Sequence, residues 1–134
     1  MRRPRLLIVD DEESVTRTLQ LVFEELGYAV DTALNSVDAI TALANGHKYD
    51  AVITDLNMER EDIGLDVAKA AKQARPAPIV VICTGYASQA NTRSALQIHV
   101  DYFANKPVDL EELISNLDRL LARRDEIKSG KGKR

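Results

Sequence analysis

The chain has 134 residues, 45% hydrophobic and 29% charged, with a formal net charge of -3. That size holds one domain with a sizeable core and no second globular unit, the acidic balance argues against general affinity for nucleic acid, and no apolar run approaches the about 20 residues of a membrane span. The start "MRRPRLLIVDD" carries only Leu6 to Val9 as an apolar run before two aspartates, too short for a signal peptide, so a cytoplasmic protein is expected.

Leu6–Val9 reads as a strand closed by Asp10 and Asp11. A helix follows, because Val15, Leu19, Val22 and Leu26 share one face before Gly27 stops it. Tyr28–Ala33 is the second expected strand. Ser36 is the expected N-cap of a second helix ending near Asn45, with Val37, Ile40 and Leu43 inside and Gly46 just beyond. Ala51–Thr54 gives the third strand and runs into Asp55. From about Gly64 to Ala74 a third helix uses Leu65, Ala68 and Ala71, small residues that imply close packing on a sheet, and Pro76 and Pro78 close it.

Ile79–Cys83 is the fourth strand, within "PIVVICT". Cys83 is the single cysteine; it has no internal disulfide partner and reads as a small buried hydrophobe. The fourth helix, about Ser88 to Gln97, is poor in large apolar residues, so it is expected to be weakly anchored and able to shift or serve a partner. Tyr102–Ala104 gives the faintest strand signal. The last helix opens at Asp109 behind Pro107 and lines up Leu110, Leu113, Leu117, Leu120 and Leu121. The domain is expected to span 1–124. The remainder, 125–134, "DEIKSGKGKR", has two glycines and no aromatic residue, and reads as a basic, flexible tail instead of a nucleic-acid arm.

Strand and helix alternate five times, and continuous apolar strands are those of a parallel sheet covered on both faces. The expected fold is a three-layer α/β/α protein with a five-stranded parallel sheet. The flavodoxin-like order 2-1-3-4-5 is the known arrangement expected for that element string, not one that these residues dictate. In such a sheet all strand C-termini share one edge, where ligands bind. That edge would collect Asp10 and Asp11, Asp55, Thr84 and Lys106. Each alone is commonplace: a turn residue, a turn hydroxyl, a surface lysine. Their joint occurrence at the right strand ends is not. Crowded carboxylates repel, and hard oxygen donors with an incomplete shell suit Mg²⁺, which accepts phosphate oxygens beside its waters. A lysine and a hydroxyl nearby suit a phosphoryl group.

The signatures "LLIVDDE", "DAVITDLNM", "VVICTGYA" and "DYFANKPVD" resemble the receiver domain of bacterial two-component response regulators, the chemotaxis-type (CheY-like) fold, from about Arg5 to Arg124. The resemblance implies that Asp55 is the phosphoacceptor, that Asp10, Asp11, Asp55 and the backbone carbonyl of Asn57 hold Mg²⁺, and that Thr84 and Lys106 contact the phosphoryl group. It implies Thr84 and Phe103 as switch residues, with Tyr102 a neighbouring candidate ring, and a cis Lys106–Pro107 bond. The phosphodonor would be a sensor histidine kinase or histidine phosphotransfer protein. A downstream protein would read the fourth helix, fifth strand and fifth helix of a monomer or phosphorylation-linked dimer, with no direct binding to nucleic acid or membrane. Such a domain catalyses only its own phosphorylation and dephosphorylation.

Glu59 departs from the proline usual in relatives, "EREDIG" reads as one residue longer, and "IHVDY" lacks a common Gly-Ala pair. The loop after Met58 is therefore expected to be acidic and mobile, and Phe103, lacking a hydroxyl, to work through packing. A phosphatase of the haloacid-dehalogenase type is the enzymatic alternative, but it needs an aspartate as general acid/base where Asn57 stands. A phosphorylation-independent interaction module is the third reading, against which the retained acidic, hydroxyl and lysine set speaks. A dinucleotide-binding fold lacks its glycine-rich loop.

Overall fold

The computed structural model describes residues 3–128. Strands β1 (Arg5–Val9), β2 (Ala29–Ala33), β3 (Ala51–Asp55), β4 (Ile79–Thr84) and β5 (Tyr102–Asn105) alternate with helices α1 (Glu13–Glu25), α2 (Ser36–Ala44), α3 (Gly64–Gln73), α4 (Gln89–Ile98) and α5 (Leu110–Lys128). The five strands form one parallel sheet in the order β2-β1-β3-β4-β5. This is the expected flavodoxin-like, three-layer arrangement.

The period of two along each strand separates the core into two layers. Leu6 and Ile8 of β1, with Ile53 and Val81, pack against Leu19 and Phe23 of α1 and Leu113, Leu117 and Leu121 of α5. Leu7 and Val9, with Val52, Val80 and Ile82, face Ala39 of α2, Val67, Ala68 and Ala71 of α3, and Ala95 of α4. Alanines on the second face let helix backbones approach the sheet. The edge strand β2 is only partly buried over most of its length, unlike β3 and β4, which are buried throughout.

Three local expectations are corrected. The N-cap of α2 is Asn35, whose side chain accepts from the Asp38 N–H at 2.8 Å; Ser36 is the first helical residue and buried. The inward face is thereby turned to Ser36, Ala39 and partly buried Leu43, while Val37 and Ile40 are exposed. Tyr28 precedes β2 and packs edge-on against Phe23, with ring centroids 5.2 Å apart. Helix α5 continues to Lys128, four residues into the segment read as a tail, because Asp125, Glu126, Ile127 and Lys128 extend the helix ahead of Gly130. The rest of that segment, 129–134, lies outside the described residues.

The edge opposite the strand C-termini is tied by polar contacts. Arg124 of α5 donates to the Asp50 carbonyl at 3.0 Å and pairs with its carboxylate at 3.3 Å, while the Arg5 N–H donates to the same carboxylate at 2.8 Å. The Tyr28 hydroxyl donates to Asp118 at 2.9 Å. Both contacts hold the C-terminal half of α5 onto the sheet.

Candidate functional site

Strand register brings the predicted site residues together. Val9 pairs with Thr54, so Asp10 follows β1 beside Asp55, the last residue of β3. Asp55 in turn pairs with Cys83, and Thr84 with Asn105, which puts Thr84 and Lys106 at the same edge. Residues separated by as many as 96 positions meet here: Lys106 Nζ lies 3.1 Å from Asp10 Oδ2 and 3.4 Å from Asp55 Oδ1. The Lys106–Pro107 bond is cis, and so is Arg75–Pro76, which the sequence did not announce.

Asp10 is buried and held from two sides, its other oxygen accepting the Glu12 N–H at 2.9 Å. Asp55 is also buried, whereas Asp11 is exposed. One carboxylate oxygen from each of Asp10, Asp11 and Asp55 lies within 4.8 Å of the others. Burial and then the Asp10 charge push the Asp55 carboxyl above its ordinary range, with Lys106 opposing them. For Lys106, burial favours the neutral amine, but the Asp10 hydrogen bond and the charges of Asp55 and Asp10 prevail and raise it. Three carboxylates against one ammonium leave two negative charges uncompensated, and the donor set is hard oxygen throughout. The cluster therefore fits a divalent cation of the Mg²⁺ kind.

The raised Asp55 carboxyl carries a stability prediction for the metal-free protein. A folded-state pKa above the unfolded one means that the native state binds the proton more tightly, so this group's contribution is present at low pH and lost as pH rises through the folded value. In chelator, Asp55→Asn is expected to melt a few degrees higher than wild type at neutral pH. That gap closes on acidification through Asp55's raised range toward the ordinary carboxyl range. Thermal melts followed by circular dichroism across pH check it; equal melting temperatures at neutral pH would contradict it.

Thr84 is buried, and its hydroxyl is engaged by its own turn: it donates to the Tyr86 carbonyl at 2.9 Å and accepts the Tyr86 N–H at 3.1 Å. Tyr102 and Phe103 point to opposite faces of β5. Tyr102 belongs to the α5 side and donates to Glu112 at 2.6 Å, whereas Phe103 packs in the layer that holds α3 and α4. Helix α4 buries only Asn91 and Ala95, although a Ser88–Asn91 capping box fixes its start. Cys83 sits beneath the site with its thiol pushed up to about 12 by burial, consistent with a packing role.

The loop between β3 and α3 carries several side-chain hydrogen bonds to itself and to neighbouring helices. Asn57 Oδ1 accepts the Asp62 N–H at 2.6 Å, with Asp62 in the left-handed region at φ 60°. The Asp62 carboxylate accepts from Asn91 of α4 at 3.4 Å. Glu59 accepts from the Ser36 N–H at 3.1 Å and from the Ser36 hydroxyl, bonds that hold its carboxyl below the usual range. No sequence pattern reports these contacts, because Ser36 and Glu59 lie 23 positions apart with no shared periodicity.

Residues 6–118 match the family model of the response regulator receiver domain. The chain is 31% identical over 119 residues to the response regulator ArlR of Staphylococcus aureus, covering 89% of this chain and 53% of that protein. It thus spans about half the length of such curated relatives. Among solved structures, a CheY-like receiver domain protein from Methanospirillum hungatei superposes with a TM-score of 0.87 at 24% identity, over 93% of this chain and 98% of the other. A response regulator receiver protein from Pseudomonas putida gives 0.79 at 27% identity, over 89% and 98%. Among the described residues no helix is long and apolar enough to cross a membrane.

Proposed function

The chain belongs to the response regulator receiver domain family of two-component signalling, and from that premise we propose that Asp55 accepts a phosphoryl group from a histidine of a sensor kinase or phosphotransfer protein. The observation that carries this reading is the buried Asp55 carboxylate at the end of β3, with Lys106 Nζ 3.4 Å away and Asp10 sharing the same ammonium. Asp55 is the nucleophile. One of its oxygens forms a bond to phosphorus as the phosphorus–nitrogen bond of the donor breaks, and the imidazole leaves with the electron pair.

The chain's own contribution is positioning and charge. Lys106, held between two carboxylates, offers its ammonium to the incoming phosphoryl oxygens. Asp10, Asp11, Asp55 and the Asn57 carbonyl would hold Mg²⁺, which when bound neutralises charge on the phosphoryl oxygens. The donor set of the Asp cluster supports that assignment. The Asn57 carbonyl accepts no hydrogen bond from any described residue.

Thr84 would exchange its bonds to Tyr86 for a phosphoryl oxygen, loosening the turn that leads into α4. Phe103, on the α4 side of β5, would follow through packing, while Tyr102 stays with Glu112. The exposed Leu96 of α4 and Tyr86 before it lie on the face a downstream protein would read. A phosphorylation-linked dimer through the same face is the alternative output.

Intact mass after incubation with Mg²⁺ and a small acyl-phosphate donor tests the reading. A single phosphoryl adduct, lost in chelator, is expected. No adduct at any Mg²⁺ concentration would overturn it, and turnover of unrelated phosphomonoesters would favour a phosphatase.

A further inference from the structure

We propose that Glu59 is a positioning residue for the metal-holding loop, latched onto the first turn of α2 so that the Asn57 backbone is fixed beside Asp10, Asp11 and Asp55. The inference rests on the Asp55 reading above and deepens it.

The loop is closed on itself by the Asp62 N–H on Asn57 Oδ1, at 2.6 Å. Its far end is moored to the core, since the Gly64 N–H donates to the Leu56 carbonyl at 2.8 Å. Between these points, the backbone of residues 58–61 has local bonds, Met58 N–H and Ile63 N–H to the Arg60 carbonyl and the Glu59 backbone to its own carboxylate. A glutamate leaves its own φ free, so nothing covalent stiffens residue 59. The tether to α2 does so instead: the carboxylate takes both the N–H and the hydroxyl of Ser36. Ser36 is buried and opens the helix. It is therefore a fixed anchor, and its N–H has no intrahelical partner to lose.

The Asn57 side chain is spent on the loop's closure, which leaves its backbone carbonyl as the oxygen available at that position. A ligand oxygen must be held to within about half an ångström for full affinity. Groups that only orient a ligand typically change metal affinity by about 10-fold or more when removed. Glu59 stands two residues from that carbonyl and fits this orienting role.

The test is Mg²⁺ affinity of the full chain, by calorimetry and by amide spectra, for wild type, Glu59→Ala, Glu59→Gln and Ser36→Pro. Glutamine keeps an oxygen for the Ser36 N–H but removes the charge. Proline at the first helical position removes that N–H and the hydroxyl while leaving Glu59 charged, and Asn35 already has the extended φ of -158° that a residue before proline needs. Glu59→Ala and Ser36→Pro are expected to weaken Mg²⁺ by about 10-fold each without adding in the double variant. Glu59→Gln is expected to stay within about threefold of wild type. If Glu59→Ala shifts the Ser36 amide signal yet binds Mg²⁺ within about twofold of wild type, the latch does no positioning. If Glu59→Gln falls as far as alanine while Ser36→Pro does not, Glu59 acts by charge and the proposal fails. A wild type that binds no Mg²⁺ overturns the Asp55 reading itself, an outcome distinct from both.

Discussion

Asp55→Asn is expected to take up phosphoryl groups from a small acyl-phosphate donor at below about one per cent of the wild-type extent. The substitution keeps the shape of the side chain and its place at the end of β3, and removes the anionic oxygen proposed to attack phosphorus. An amide can still accept from Lys106, so the ammonium 3.4 Å away keeps a partner. Because the same change relieves repulsion between Asp55 and Asp10, the variant is expected to lose its chemistry while melting higher. Opposite movement of the two readouts excludes misfolding as the cause of lost uptake. Intact mass with Mg²⁺ and circular dichroism in chelator, on portions of one preparation, measure both, and an undiminished adduct would place the phosphoacceptor elsewhere.

The second large effect is expected at Gly64. A Cβ there would lie 2.1 Å from the Asp55 carbonyl oxygen and 2.8 Å from the Leu56 Cα. Both are backbone atoms of the strand end and its exit, so no side-chain rotation can make room. Gly64→Ala must push the start of α3 away from β3 or bend the strand end itself. The expected cost is about 3 kcal/mol or more, at the upper end of overpacking effects, and roughly a 10 °C fall in melting temperature. Phosphoryl uptake should fall with it, because the displaced carbonyl belongs to Asp55. A melting temperature within about 2 °C of wild type would show that the backbone can yield there.

What could be read from the chain followed from topology. Once five apolar runs alternate with helical periods, parallel pairing carries Asp10, Asp55, Thr84 and Lys106 to one edge whatever lies between them. The opposite directions of Tyr102 and Phe103 also follow from the period of two in a strand, although only their packing partners tell which ring faces α4. The choice between Asn35 and Ser36 as cap was less legible, since both residue types cap helices and a one-residue slip rotates the buried face by about 100°. Glu59 was the least legible residue. As a letter in an acidic loop it marks a solvent-facing charge, and its partner is supplied by an element 23 residues earlier. Long-range polar pairs leave no periodic trace, so the contact between the loop and α2 could not be read from the letters.

The fastening of Arg124 to Asp50 has a mechanical meaning for this helix. Its near end starts three residues after Pro107, and its distal half is moored at the other side of the sheet. Between Leu110 and Arg124 the rod is about 21 Å long. Packed along its length by Leu113, Leu117 and Leu121 and fastened at its distal half, such a rod resists sliding, so a lateral push near Lys106 would reach Arg124 as a small change of angle. Any attached element would then be steered by orientation, with the Arg124–Asp50 contact as its fulcrum.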